Sequence, residues 1–133
     1  MVRVVIDTNV LVSALTYNGK PRRLVLRLLE AHTVILTSHM LAELADILTR
    51  DKFKIRNSQV NRFLSSLVRT CKIVPDKPRF KVVFEDPDDD VVLNAAYAGK
   101  ANYVVTGDKH LLALDQFKKT RIVTVNQMLE TLI

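Results

Sequence analysis

Carboxylate side chains stand in this sequence at points where an apolar segment gives way to a turn. Asp7 follows the apolar run at residues 2–6, and Asp108 follows a second run at residues 103–107. Carboxylates at the ends of buried strands are poorly solvated and repel one another, so a fold retains them mainly where a cation binds. This pattern predicts a site for divalent metal ions. Further acids that could join it are Glu43, Asp86, Asp88, Asp89 and Asp90.

Alternating strands and helices would position these acids. Apolar runs predict five strands, at residues 2–6, 33–37, 71–74, 103–106 and 121–124. Helical spacing predicts helices at residues 8–16, 22–31, 38–50, 58–70, 86–99, 109–114 and 126–132, with Ser38 capping the third. We therefore expect a three-layer α/β/α sandwich with a parallel, about five-stranded sheet. Ligands bind beyond the carboxyl ends of such strands, so Asp7 and Asp108 should meet at one edge.

Each acid also has an ordinary structural explanation. Glu43 lies at the edge of an apolar helical stripe, where a plain boundary glutamate fits as well as one that faces a cleft. Asp86 and Asp108 could each cap the helix that follows, and Asp7 could lie in a turn in which Thr8 or Asn9 is the cap. Helix capping needs only about two of the four aspartates at residues 86–90, which leaves surplus negative charge. Four clustered carboxylates would be neutralised by two divalent cations, and oxygen ligands alone suit Mg²⁺ or Mn²⁺.

Composition predicts one globular domain that spans residues 1–133, with 48% hydrophobic residues. No apolar run approaches the roughly 20 residues that cross a bilayer, and no signal pattern opens the chain, so we expect a cytoplasmic protein without membrane contact. Cys71 is the single cysteine, which excludes a disulfide framework. The net charge of +6 is compatible with a polyanionic partner such as a nucleic acid.

Four motifs in this order resemble the PIN domain, of the kind found in prokaryotic toxin–antitoxin ribonucleases of the VapC type. They lie at residues 5–10, 38–44, 86–96 and 105–109, and the resemblance covers essentially the whole chain. It implies a PIN-like fold and a set of catalytic, metal-binding acids at Asp7, Glu43, Asp90 and Asp108. Asp90 is preferred to Asp88 and Asp89 because it stands three residues before Leu93, at the family's spacing.

The resemblance implies a divalent-metal-dependent endoribonuclease that hydrolyses RNA phosphodiester bonds with two Mg²⁺ or Mn²⁺ ions. Thr8 or Asn9 would support the first acid, and Thr106 would support the last. The resemblance also implies the toxin of a toxin–antitoxin pair, with an RNA substrate, a small antitoxin protein as partner, and assembly as a homodimer or higher homo-oligomer. No histidine is required for this chemistry.

RNA binding would need cations outside the acidic pocket. The first candidates are Lys20, Arg22 and Arg23 near the first turn, together with Arg27. Each basic cluster is also compatible with an ordinary solvated face. Phe53 and Phe80 lie among these charges and could either stack on bases or belong to the core. The other two basic clusters are Arg50, Lys52, Lys54 and Arg56, and Lys77, Arg79 and Lys81.

Two other readings remain open at this point. A phosphotransferase of the haloacid dehalogenase type also opens with a strand and an aspartate, but Asn9 replaces the second acid that such an enzyme needs. The other alternative is a non-catalytic PIN-like module that binds RNA or a protein without cutting. Metal-dependent cleavage of single-stranded RNA would separate these alternatives from a nuclease.

Overall fold

A six-stranded sheet with helices on both faces forms the framework of the protein. The computed structural model describes residues 1–50, 53–81 and 87–132, with residues 87 and 88 described by their backbone alone. The strands are β1 (Arg3–Ile6), β2 (Thr33–Thr37), β3 (Lys72–Val74), β4 (Tyr103–Val105), β5 (Gln116–Phe117) and β6 (Thr120–Val123). The helices are α1 (Thr8–Thr16), α2 (Lys20–Ala31), α3 (Ser38–Leu48), α4 (Asn57–Thr70), α5 (Pro87–Gly99), α6 (Lys109–Leu114) and α7 (Val125–Thr131).

The strand order β3-β2-β1-β4-β6-β5 places β1 in the middle of the sheet. Five of the six strands are parallel, and Val4, Val5 and Ile6 of β1 are fully buried, as a strand covered on both faces requires. Ile6 pairs with Val105 of β4, so the residues that follow these two strands emerge side by side. The predicted parallel α/β fold is confirmed.

The edge strand β5 was not predicted. It has two residues and pairs antiparallel with β6. Asp115 before it and Lys118 after it both adopt positive φ, at 61° and 54°. A strand of this length carries no alternating pattern, so its sequence cannot be distinguished from a turn.

Helix α5 lies against the centre of the sheet, where it contacts β1, β2, β3 and β4. The chain moves along the sheet from β1 to β3 and then returns to β4, so right-handed crossovers place α5 on the opposite face from α1–α4. A Cβ atom on Gly99 would lie 2.7 Å from two carbons of Ile35, so the absence of a side chain permits this close contact. In the described ranges, every helix is too short or too polar to span a lipid bilayer.

The cap of helix α3 lies one residue earlier than predicted. The hydroxyl of Thr37 accepts the backbone N–H of Met40 at 3.1 Å, so Thr37 is the N-cap and Ser38 is the first helical residue. The helix ends at Leu48 rather than at residue 50. Asp86, the predicted cap of α5, and Lys52 lie outside the described residues, as does the side chain of Asp88.

Candidate metal centre

Asp7 is the N-cap residue of α1, but its carboxylate does not cap the helix. A capping aspartate normally accepts a backbone N–H of the first turn, an interaction worth about 1 kcal/mol. The Asp7 carboxylate is instead held by side chains: Oδ2 accepts the hydroxyl of Thr106 at 2.7 Å and the amide of Asn9 at 3.2 Å. Asp7 is 7% exposed, so this carboxylate is directed into a nearly buried site rather than into solvent.

Thr8 joins Asp7 to Glu43, which lies 35 residues further along the chain. Its hydroxyl donates to Glu43 Oε1 at 2.6 Å and makes a longer contact of 3.4 Å with Asp7 Oδ1. A hydroxyl has one proton, so the shorter bond to Glu43 is the strong one. Glu43 is half-buried on α3, whereas Asp46 on the same helix is exposed. Glu43 therefore reaches the cleft, as its position on the apolar stripe allowed.

Thr106 joins Asp7 to Asp108 at the neighbouring strand end. Its hydroxyl accepts the backbone N–H of Asp108 at 3.0 Å while it donates to Asp7. Asp108 also caps α6, because its Oδ1 accepts the backbone N–H groups of His110 at 2.7 Å and Leu111 at 3.2 Å. Asp108 therefore caps α6 and also lines the same pocket as Asp7 and Glu43. Asn9 donates to the first acid, whereas Thr106, predicted to support the last acid, contacts both Asp7 and Asp108.

Asp89, rather than Asp90, lies with these acids. Asp89 is 5% exposed and lines the same pocket as Asp7, Glu43 and Asp108. Asp90 lines the cavity next to it. Neighbouring helical residues point about 100° apart, so the start of α5 presents only one of the two to the pocket. The three-residue spacing from Asp90 to Leu93 predicted where the helix begins. It did not predict how the helix is rotated, and the rotation decides which aspartate faces the pocket.

The pocket has a volume of about 190 Å³ and an acidic lining. Four carboxylates line it, from Asp7, Glu43, Asp89 and Asp108, and its described lining includes no lysine or arginine. Burial raises the pKa of Asp7; the Thr106 hydroxyl and the Thr8 backbone counteract this, and the charges of Asp108 and Glu43 add to it. Such a group is stabilised by a cation, and oxygen donors of this kind fit Mg²⁺ or Mn²⁺.

His110 extends the acidic group at the start of α6. Single ligand atoms of Asp89, Asp108 and His110 lie within 4.8 Å of one another, close enough to share one cation. The imidazole Nδ1 is 3.8 Å from Asp108 Oδ1. The family resemblance required no histidine, so His110 was not among the predicted ligands. Its position two residues after Asp108, in the first turn of the helix that this acid caps, is the signal that could have indicated it.

Among the basic residues predicted to bind RNA, Arg22 is engaged within the protein. Its Nε donates to the carbonyl of Ala14 at 2.7 Å, and a terminal nitrogen donates to the carbonyl of Leu15 at 2.8 Å. These bonds satisfy carbonyls at the end of α1. Lys20 and Arg23 are exposed, and Lys20 lines a cavity that also contains Asn9 of the acidic site.

Known proteins share this sequence pattern and fold. A sequence model described as "PIN domain" matches residues 3–110. An uncharacterized protein of Methanocaldococcus jannaschii, MJ1680, is 31% identical over 141 residues, which cover 98% of this chain and 86% of that protein. A chain in the crystal structure of VapBC2 from Rickettsia felis, bound to a DNA fragment from their promoter, superposes with a TM-score of 0.62 at 15% identity. That superposition covers 92% of this chain and 98% of the other.

Proposed function

Because this chain belongs to the PIN domain family, we propose that it is a divalent-metal-dependent endoribonuclease whose acidic pocket hydrolyses RNA phosphodiester bonds. The observation that carries the proposal is the convergence of four carboxylates, from four separate elements, in a pocket whose described lining includes no basic side chain of lysine or arginine. Carboxylates brought this close together repel one another and are stabilised by cations, and such clusters recur at functional sites.

The proposed ligands form two groups that share one pocket. Asp7 and Glu43 are joined through Thr8, and Asp89, Asp108 and His110 lie within reach of one another. Two adjacent groups support two Mg²⁺ or Mn²⁺ ions rather than one. Asp89 replaces Asp90 in the proposed set, because only Asp89 is among the residues that line this pocket.

In this proposal the protein holds and orients the ligands before any substrate arrives. Thr106 and Asn9 fix the Asp7 carboxylate through Oδ2, which leaves Oδ1 directed toward the side of Glu43. The cap of α6 fixes Asp108 through Oδ1 in the same way. Bound divalent cations would lower the pKa of a coordinated water and stabilise the charge that builds on the leaving oxygen.

Cleavage of a labelled single-stranded RNA of mixed sequence, with Mg²⁺, with Mn²⁺ and with EDTA, tests the reaction. Asp89→Asn should reduce the rate by about a hundredfold or more, the scale of losing one group that stabilises the transition state. Asp90→Asn removes the same charge from the adjacent position, which lines the neighbouring cavity, and should lose far less activity than Asp89→Asn. If Asp90→Asn lost activity and Asp89→Asn did not, Asp90 would be the metal ligand, as first predicted. RNA binding without cleavage by wild type in either metal would instead favour the non-catalytic module.

We further propose that the protein is the toxin of a toxin–antitoxin pair and assembles as a homodimer or higher homo-oligomer. The fold shared with a chain of the VapBC2 structure supports a small protein partner. Induced expression in a bacterial host should arrest growth with wild type and not with Asp7→Asn. Light scattering coupled to size exclusion would give the number of copies in solution. Normal growth under strong expression of an active nuclease would contradict the toxin proposal.

A further inference from the structure

A second cavity adjoins the acidic pocket on the side of α5. It has a volume of about 520 Å³ and shares His39 and Val91 with that pocket. The segment at residues 75–81 forms one wall, and Asp90, Asn94 and Ala95 of α5 contribute to the other. A chain held in the acidic pocket would therefore find an open, preformed space directly beside it.

A third cavity continues from the second toward the far end of α5. Its volume is about 1000 Å³, and it shares Pro75, Lys77, Arg79 and Asn94 with the second. From there it reaches Lys100 and the turn between β5 and β6. Lys100, just after the end of α5, is eleven residue positions from Asp89, which corresponds to about 16 Å along the helix axis. We name these two cavities together the α5 groove.

The far part of the α5 groove is strongly basic. Its described lining includes no carboxylate, in contrast to the acidic pocket at the other end. A polyanion would be held by its phosphates in the groove while one phosphodiester enters the acidic pocket with the help of cations. The basic residues that line this part are Lys77, Arg79, Lys100, Lys118 and Lys119.

An aromatic cluster lies among these cations. The ring of Phe80 packs edge-on against Tyr97 at 4.9 Å and against Phe117 at 5.3 Å between centroids. Tyr97 is 43% exposed, and the guanidinium of Arg79 lies 5.8 Å from its ring centroid. An exposed ring fixed by its neighbours and flanked by cations is the arrangement on which single-stranded nucleic acids stack their bases.

Asn94 attaches the segment at residues 75–81 to α5. Its Oδ1 accepts the backbone N–H groups of Arg79 and Phe80, both at 2.9 Å. Its Nδ2 donates to the carbonyls of Phe80 at 3.0 Å and Asp90 at 2.8 Å. Asn94 is thus a positioning residue that sets where the basic and aromatic side chains of this segment lie relative to the acidic pocket.

We propose that single-stranded RNA lies along the α5 groove, with its phosphates on Lys77, Arg79 and Lys119 and one base on the exposed ring of Tyr97. The proposal rests on the proposed function and assigns the path of its substrate. RNA fits better than an apolar protein segment because the far part of the groove is cationic and the groove adjoins the acidic pocket. The path lies on the opposite face of the sheet from Lys20 and Arg23 on α2.

Fluorescence anisotropy with a labelled single-stranded RNA of about 12 nucleotides tests the path, in EDTA so that the RNA is not cut. The variant Lys77→Ala/Lys119→Ala should flatten the dependence of log Kd on log salt by about 1.4, for two lost phosphate contacts with a single strand. Both positions have ordinary φ, so alanine introduces no backbone strain there. Lys20→Ala/Arg23→Ala removes equal charge from the other face and should leave the slope unchanged.

Stacking is tested separately at Tyr97. Tyr97→Ala should weaken binding about tenfold, whereas Tyr97→Phe keeps the ring and should bind like wild type. Tyr17→Ala, at an exposed tyrosine after α1, is the matched control and should have no effect. Asn94→Ala should weaken RNA binding without changing the affinity of the acidic pocket for Mn²⁺. Thermal melts of every variant would establish that it folds.

Several outcomes would overturn the path. If the slope of log Kd against log salt changed in the Lys20→Ala/Arg23→Ala variant and not in the Lys77→Ala/Lys119→Ala variant, the RNA would lie on the other face of the sheet. Unchanged RNA binding with altered self-association in the Lys77/Lys119 variant would make the groove an interface between copies. If wild type cleaves RNA but no groove variant changes RNA binding, the proposed path is wrong and the nuclease proposal stands. Groove-dependent binding without cleavage contradicts the nuclease proposal and leaves the path intact.

Discussion

Replacing Asp7 by asparagine should make the metal-free protein more stable. Asp7 Oδ1 and Glu43 Oε1 are at most 6.0 Å apart, because both contact the Thr8 hydroxyl, over 3.4 and 2.6 Å. Two unit charges at that separation repel by about 3 kcal/mol at an effective dielectric of about 20, and by about 0.7 kcal/mol in water. A half-buried pair lies between these limits, so removing one charge relieves about 1–3 kcal/mol.

The substitution costs little in hydrogen bonding. The asparagine oxygen can still accept from Thr106 and Asn9, while its amide nitrogen cannot accept the long contact from Thr8. That loss is worth about 1 kcal/mol at most. The net gain is therefore about 1 kcal/mol, which raises the Tm of a domain of this size by about 3–5 °C.

The gain in stability of Asp7→Asn over wild type should increase as the pH rises. The pKa of Asp7 is raised above its ordinary value of 3.8, mainly by burial, so the folded protein binds this proton more tightly than the unfolded chain does. Wild type thus loses stability as pH rises from that ordinary value through the raised one, and Asp7→Asn does not. The two proteins should melt alike in acid and diverge toward neutral pH.

Thermal melts in EDTA at several pH values, followed by melts with Mn²⁺, measure the effect. At one hundred times its Kd, the ion adds about 2.7 kcal/mol to wild type and less to the variant, so the order of stability should reverse. Asp46→Asn removes an exposed carboxylate from α3 and should shift neither set of melts. An Asp7→Asn protein that melts below wild type in EDTA would contradict the prediction and make Asp7 a structural residue.

Three further predictions follow from other contacts. Arg22→Ala should cost about 2 kcal/mol, because it leaves two carbonyls of α1 without their charged donor, whereas Arg23→Ala should be neutral in the same denaturant titrations. Gly99→Ala should destabilise by about 1 kcal/mol or more despite alanine's better helix propensity, because the new methyl meets Ile35; an unchanged midpoint would mean that Ile35 moves aside. His110→Ala should weaken Mn²⁺ binding several-fold more than Mg²⁺ binding in calorimetry, since imidazole suits the transition metal better; equal losses would exclude the ring as a ligand.

Much of the framework could be predicted because it is encoded by local patterns. The run that became β1 is apolar at nearly every position, which is typical of a strand buried on both faces. Helical spacing identified α3 and α5, and alternation of strands with helices indicated the parallel sheet. The two-residue β5 escaped prediction because pairing with β6, rather than its own composition, makes it a strand.

The sequence identified each acid as a candidate ligand, but it did not predict which side chains each acid contacts. Glu43 reaches Asp7 through Thr8, and Thr106 joins Asp7 across a separation of 99 residues. Such contacts depend on strand order and on the distance between packed elements, neither of which is a property of a short segment. The Asp7 side chain is an example: Asp7 is the N-cap residue of α1, and only the tertiary contacts show that Thr106 and Asn9 hold its carboxylate while the helix is left without a side-chain cap.

For the same reason, the sequence alone could not distinguish the role of Asp89 from that of Asp90, or the role of Arg22 from that of Arg23. Each pair consists of neighbours with similar side chains, so composition and spacing treat them alike. Rotation of α5 against the sheet buries Asp89 in the acidic pocket, and the approach of α2 to the end of α1 engages Arg22. Local residue patterns determine which elements form, whereas the direction in which each side chain points is decided by the packing of those elements, since one helical step turns it by about 100°.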